Sequence, residues 1–190
     1  SKQLATYYND EWIPEFARDY LQEKWDKNQE ICTEKDLISI AIGQIKLENE
    51  AVIKAKKFLF CDTNLLVTKV FSDIYYDRCD ANLDQAACEH EYDLIFLTNI
   101  DVPWKADDLR DRPNNREITF DSFEKAIIIN GNPYIKIEGD EVTRFQKAVK
   151  IIDEFVLAKQ LGFTSTDYIT MYQKKIGQVV LNLSGRVMVN

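Results

Sequence analysis

The chain has 190 residues, 45% hydrophobic and 29% charged, with a formal net charge of −8. That length suits one domain with a short appendage, and it allows roughly 70% of the unfolded surface to be buried, so no staples are needed. The acidic balance argues against nucleic acid as a partner, which needs a basic footprint, while leaving room for a local basic pocket around a phosphorylated small molecule.

No apolar run approaches the roughly 20 residues of a membrane span, and no basic-then-apolar leader opens the chain. A cytoplasmic protein with no membrane partner is therefore expected. The four cysteines, Cys32, Cys61, Cys79 and Cys88, form no C-x-x-C pair, and His90 is the single histidine. Reduced thiols and no zinc site follow.

In chain order, "SKQLATYY" reads as helix, with Leu4, Ala5 and Tyr8 able to share a face. Trp12 and Ile13 make a short strand tip. Pro14 fits a first helical turn, with Phe16, Tyr20 and Leu21 following at helical spacing. Residues 33–57 predict a long helix capped by Thr33, with lysines gathered at its far end. "FLFCDTN" is a buried strand that stops at Asp62, and helices follow over 64–75 and 81–90. "YDLIFLTN" is a second buried strand, and "DVPWKADDLRDRPNNRE" is a loop dense in charge and turn formers. Helix returns over 118–130. "PYIKIEG" is a third strand closed by Gly139, and Asp140 caps the helix that follows. In the tail, residues 164–175 read as a short helix, and "QVVLNLSGRVMVN" alternates like a half-exposed strand.

Strands alternating with helices specify an α/β fold with a parallel sheet flanked by helices. Ligands in such sheets gather at the carboxyl ends of the strands, which is where Asp62 stands. As an isolated feature, Asp62 is also a good N-cap for the next helix.

Four segments in series, "WIPEFARDYL", "FLFCDTN", "YDLIFLTNIDVPWKADDLRDRPNNRE" and "NPYIKIEG", resemble the ribosylnicotinamide kinase domain of bacterial NAD-biosynthesis regulators. They equally resemble the related stand-alone AAA-type ATP-binding proteins. The resemblance covers about residues 1–155. It implies a P-loop kinase-like unit over 1–158, with a C-terminal helix-strand extension of unknown role over 159–190. The activity it implies is transfer of the ATP γ-phosphate to the 5′-hydroxyl of nicotinamide riboside, with ATP and Mg²⁺ required. One departure stands out. The family's first strand and its G-x-x-x-x-G-K-[ST] loop are absent from these 190 residues, so the domain reads as N-terminally truncated and the kinase as inactive in this form.

Residue by residue, the resemblance implies that Asp62 holds the hydration shell of Mg²⁺, with Thr63 beside it on the nucleotide. Glu15 would accept the acceptor's proton or hold a ribose hydroxyl, and Arg18 would steady phosphate charge or orient Glu15; the ordinary alternative is a solvated helix start. Arg110, Arg112 and Arg116 would act from a lid, Arg112 on the nucleotide side. Interleaved acids at Asp107, Asp108 and Asp111 make surface ion pairs the alternative. Asp101 and Trp104 open that lid, and an indole stacked on a cationic nicotinamide ring contributes roughly 0.5–2 kcal/mol. Tyr20 is a second stacking candidate, or a core aromatic. His90 reads as a polar cap or a surface residue.

A reading from another class is a non-catalytic nucleotide-binding or protein-interaction module, with the tail pairing along a sheet edge or with another subunit as a homo-oligomer.

Overall fold

The computed structural model describes residues 1–104, 109 and 114–187, with side chains described through residue 176. The elements are α1 (Lys2–Tyr8), β1 (Glu11–Ile13), α2 (Phe16–Asn28), α3 (Glu34–Val52), β2 (Leu59–Cys61), α4 (Leu65–Tyr76), α5 (Ala81–Glu89), β3 (Ile95–Thr98), α6 (Arg116–Ile129), β4 (Tyr134–Ile137), α7 (Glu141–Gln160) and α8 (Ser165–Val187).

The expected parallel sheet is present as two parallel pairs. β1 lies beside β2, with Glu11 opposite Leu59 and Ile13 opposite Cys61. β3 lies beside β4, with Ile95 opposite Tyr134 and Thr98 opposite Ile137. Asp10 sets the start of the first pair. Its carboxylate accepts from the backbone N–H groups of Lys56, Lys57 and Phe58 at 2.8 Å and of Glu11 at 3.0 Å. Burial pushes this carboxyl up, but the N–H donors outweigh it and hold it down at about 2. The lysines expected at the end of α3 therefore lie past it, in the turn that Asp10 organises.

Alternation along the strands divides the core into two layers. Ile95 and Leu97 face a cluster of Leu37, Ala41, Leu65, Leu66, Leu83, Ala87 and Ile127 from α3 to α6. Leu94 and Phe96 face the other way, onto Ile135, Ile151, Phe155, Tyr168 and Ile169. Phe58 and Phe60 join Leu4, Ile137, Ala148 and Ile152 on that same side, with α1 and α7. Each fully buried aliphatic side chain contributes about 1.5–3 kcal/mol, so these two layers carry most of the fold.

Helix starts follow local chemistry. Thr33 and Asp36 form a reciprocal capping box on α3, and Asp80 and Asp140 cap α5 and α7.

The tail departs from expectation. A helix followed by a strand was expected over 164–190, but α8 continues as one helix to Val187. The alternating pattern of residues 178–190 competes with a helical one. Tyr168, Tyr172, Ile176, Val180, Leu183 and Val187 recur every three or four residues. A helix already nucleated on the buried Tyr168 and Ile169 propagates along that stripe.

Candidate functional site

A cleft of about 1690 Å³ opens between β2 and β3. Asp62, Thr63, Trp104 and Arg116 all line it, along with Ser1 and Arg144. Four of the predicted site residues thus share one space.

Asp62 ends β2. Its N–H donates to the Ile13 carbonyl at 3.0 Å, which extends the β1–β2 ladder and fixes where the side chain begins. Its carboxylate accepts from Ser1 Oγ at 2.7 Å. Capping is not its role, because Asn64 is the N-cap of α4 and accepts from the Val67 N–H at 3.1 Å. One carboxylate and one hydroxyl oxygen side by side suit a hydrated divalent cation, which keeps several of its own waters. Among the described residues, no three His, Cys, Asp or Glu side chains converge to hold a metal directly. The neighbouring Cys61 thiol is pushed up to about 12, first by burial and then by the Glu48 charge, so it is inert at neutral pH.

Behind the cleft lies a polar cluster that sequence reading missed. Gln44 and Glu48, one turn apart on α3, are 2% and 5% exposed. Gln44 Oε1 accepts from the Phe16 N–H at 3.2 Å, and its amide donates to Glu48 at 3.0 Å and toward the Thr63 carbonyl at 3.4 Å. Glu48 also pairs with His90 Nε2 at 3.1 Å and accepts from the Tyr92 hydroxyl at 2.9 Å, and the His90 and Tyr92 rings stack 5.1 Å apart. The hydrogen bond to Glu48 raises the His90 imidazole above its ordinary value, against the effect of burial. This cluster ties the start of α2, the exit of β2 and the entry to β3 into one unit.

Glu15, Arg18 and Tyr20 stand outside the cleft lining. Glu15 is the N-cap residue of α2, without a side-chain cap bond, and pairs with Arg18 at 3.5 Å. Gln44 joins the Phe16 amide, next to Glu15, to the carbonyl of Thr63, which does line the cleft. Gly43 sets how closely α2 approaches, since a Cβ there would lie 2.2 Å from the Phe16 ring. The Tyr20 hydroxyl donates to Asp36 at 2.9 Å, and its ring packs on Phe16.

At the far wall, Asp101 accepts from the Gly139 N–H at 2.6 Å and pairs with Arg144. Arg144 in turn donates to the carbonyls of Gly139 at 2.7 Å and Asn99 at 2.8 Å, which locks the carboxyl ends of β3 and β4 together. The backbone donation from Gly139 is the largest cause of the lowered Asp101 carboxyl, with Arg144 adding to it. Arg116 opens α6 and donates to the Val102 carbonyl at 2.9 Å, pinning the two ends of the lid segment to each other. Trp104 is 36% exposed at the cleft edge. Arg110 and Arg112, with Asp107, Asp108 and Asp111, lie outside the described residues.

The AAA domain family matches residues 1–144. The chain belongs to that family. Two curated relatives of this AAA domain are the trifunctional NAD biosynthesis/regulator proteins NadR. The Escherichia coli (strain K12) protein is 26% identical over 161 residues, covering 81% of this chain and 38% of the relative. The Salmonella typhimurium (strain LT2) protein is 25% identical over 159 residues, with the same coverage. The chain thus spans well under half the length of these relatives. Its fold is that of a crystal structure of NadR protein in complex with NAD and AMP-PNP. The TM-score is 0.62 at 18% identity, over 81% of this chain and 44% of that one.

Within the AAA domain, Ser1, Gln44, Glu48 and Arg144 are functional candidates that sequence reading did not single out. The signal for Gln44 and Glu48 was two polar residues at core spacing in the apolar stripe of Leu37, Ile40 and Ala41. For Ser1 and Arg144 no local signal existed, because their partners Asp62 and Asp101 lie far off in sequence.

Proposed function

We propose that this AAA domain is the acceptor-binding and metal-binding part of a cytoplasmic kinase that phosphorylates nicotinamide riboside on its 5′-hydroxyl. The observation that carries the reading is the Ser1 Oγ–Asp62 pair at 2.7 Å, at the carboxyl end of β2 in the cleft of about 1690 Å³. In P-loop enzymes a hydroxyl at the end of the phosphate loop and an acid at a strand end share one Mg²⁺, and Ser1 and Asp62 match those two roles. The relatives' names place them in NAD biosynthesis, and the solved neighbour was crystallised with NAD and AMP-PNP.

Bound Mg²⁺·ATP would supply the phosphoryl group and neutralise its charge. The chain's own residues do the rest. Asp62 and Ser1 would hold the hydrated ion, with Thr63 beside them. Trp104 stacks on the base, while the roles of Glu15 as proton acceptor and Arg18 as its orienting partner rest on the family resemblance alone, since both stand outside the cleft lining. Asp101 fixes Arg144 at the cleft wall, and Arg116 with the lid arginines Arg110 and Arg112 steadies phosphate oxygens. Tyr20 stays in this scheme only as support for the α2 wall. The backbone cradle for a triphosphate is not among the 190 residues, so no step is routed through it. Residues 1–158 form the kinase-like unit on this reading, and 159–190 an appended element able to mediate self-association.

The test joins a glycine-rich phosphate loop upstream of Ser1 and titrates ATP, then nicotinamide riboside, by calorimetry, with product followed by phosphorus NMR. Mononucleotide should form, and Asp62→Asn should abolish it. ATP binding without product would instead favour a non-catalytic nucleotide-binding or protein-interaction module. The absence of G-x-x-x-x-G-K-[ST] from this chain is the observation on that side.

A further inference from the structure

The core face of α3 begins with Leu37, Ile40 and Ala41 and continues with two polar residues, Gln44 and Glu48, both buried. A buried amide and a buried carboxylate cost stability unless their partners are supplied, and a satisfied set fixes position more sharply than an apolar contact does. Gln44 has its set. Its oxygen accepts from the Phe16 N–H, and its nitrogen donates to Glu48 and to the Thr63 carbonyl. An amide accepts on one atom and donates twice from the next, which is the combination this position requires. The flipped amide would set its NH₂ against the Phe16 N–H and its oxygen against two acceptors, so the partners select one orientation. Glu48 holds that orientation in turn. One carboxylate oxygen takes Gln44, and the other takes His90 and the Tyr92 hydroxyl.

The segments that Gln44 joins lie far apart in sequence. The first N–H groups of a helix are ordinarily served by its own N-cap side chain. In α2, Glu15 makes no such bond, and the Phe16 N–H crosses to α3. Residues 43 and 44 both address Phe16: its ring lies against Gly43 and its N–H against Gln44. On the other side, Thr63 follows Asp62, whose N–H holds the Ile13 carbonyl. Residues 13–16 and 62–63 are therefore joined first by the strand ladder and again by Gln44. The bond to Thr63, at 3.4 Å, is the longest that Gln44 makes, and it has about 0.5 Å to close before reaching ordinary length. Hydrogen bonds at a site are often long without ligand and tighten when it binds.

We propose that Gln44 is a positioning residue that couples the first turn of α2 to the Asp62–Thr63 strand tip. Movement at either end passes to the other through one braced amide. Its bearing on catalysis rests on the function proposed above, which sets the ion at Asp62 and the acceptor's proton at Glu15; the coupling itself stands on the hydrogen bonds alone. It gives Glu15, outside the cleft lining, a defined connection to the cleft.

Two variants separate coupling from packing. Q44M keeps the length and removes the polar atoms. Q44E/E48Q keeps the net charge and remakes the bond between the two side chains in reverse, so Phe16 keeps an acceptor while the Thr63 carbonyl loses its donor. Amide exchange is read relative to Ile95, whose N–H bonds Pro133 in the other strand pair, so a general loss of stability cancels. Q44M should speed Phe16 exchange by about tenfold or more over Ile95, and the double variant should not. Both should move the Thr63 carbonyl carbon resonance. Coupling is read by adding Pro14→Ala, which loosens the entry to α2. The Thr63 carbonyl should respond to it in the natural background and lose most of that response in both variants. The proposal is overturned if Pro14→Ala moves Thr63 equally in all three backgrounds, which would assign the link to the strand ladder. It is overturned too if Q44M speeds all amides alike, or if the double variant leaves the Thr63 carbonyl in place. Should Q44M fail to fold, the double variant decides by the same readings. Mn²⁺ judges the ion separately: broadening of the Asp62 and Thr63 amides in the natural chain supports its place there, and no broadening overturns that role alone, with Gln44 still decided by exchange and shift.

Discussion

Glu48 is the point at which the wall of the cleft should respond most to protonation. It is 5% exposed and serves Gln44, Tyr92 and His90 at once. Glu48→Gln keeps the volume and removes the charge. Hydrogen bonds to a charged group contribute about 1.5–3 kcal/mol and neutral ones about 1, so weakening three of them should cost about 1.5–6 kcal/mol. That is a large share of a typical stability of about 5–15 kcal/mol. The pH dependence has a definite sign. Its bond to Glu48 holds the folded-state His90 above 6.5, so its contribution is complete below 6.5 and is lost as pH rises through the raised value. Burial pushes Glu48 up, but the bonds from His90, Gln44 and Tyr92 prevail, so its contribution is present above 4.5 and fades as pH falls through its lowered value. The latch is therefore strongest between these limits. For the one imidazole proton, stability should fall with pH by at most about 1.4 kcal/mol per unit. Urea melts from pH 5.5 to 8.5 on the natural protein, E48Q and H90N measure this slope. NMR titration of the single histidine reads the imidazole without ambiguity. The reasoning fails if His90 titrates at or below 6.5, or if E48Q keeps the natural slope.

Three further outcomes follow from the same contacts. Gly43→Ala should destabilise by about 1–3 kcal/mol despite alanine's better helix propensity, because its Cβ would sit 2.2 Å from the Phe16 ring; Phe16→Leu in the same chain should restore part of the loss in a thermal melt. Asp10→Ala leaves the N–H groups of Lys56, Lys57 and Phe58 without their acceptor. Its carboxyl is held at about 2, so its contribution exists above 3.8 and fades as pH falls toward 2, and the variant should show a shallower acid-unfolding limb by circular dichroism. Arg144→Met should speed exchange of the Gly139 amide while leaving Asp62 and its neighbours unchanged, since Arg144 steadies the Asp101 carboxylate that receives that amide.

The α/β alternation was legible because each element carries its own signal: the apolar runs of β2 and β3, the capping box at Thr33 and Asp36, and the aspartates at 80 and 140. The family resemblance also rested on such local segments. Asp62, Thr63, Trp104 and Arg116 could be placed in one cleft because strand ends and the lid converge in this topology. What stayed hidden is tertiary. Nothing near Glu48 in sequence says that His90 and Tyr92 will close on it, and nothing near Asp62 says that Ser1 will. The tail was misread because its apolar residues satisfy a two-residue and a 3.6-residue period together. Contact with the core at Tyr168 and Ile169, which no local pattern reveals, decides between them.

The distribution of stability bears on how such a site could work. β1 and β2 are three residues each, and β3 and β4 four. Strand pairs so short are not stable alone. They are held by the helical layers on either side, by Asp10 at one end and by the Asp101–Arg144 pair at the other. The strand tips that carry Asp62 and the approach to the lid therefore depend on contacts made elsewhere in the fold. Anything that binds the native state between them must stabilise it by mass action. A ligand held by those strand tips would therefore also steady the short ladders behind them, so order at the site and stability of the fold are linked.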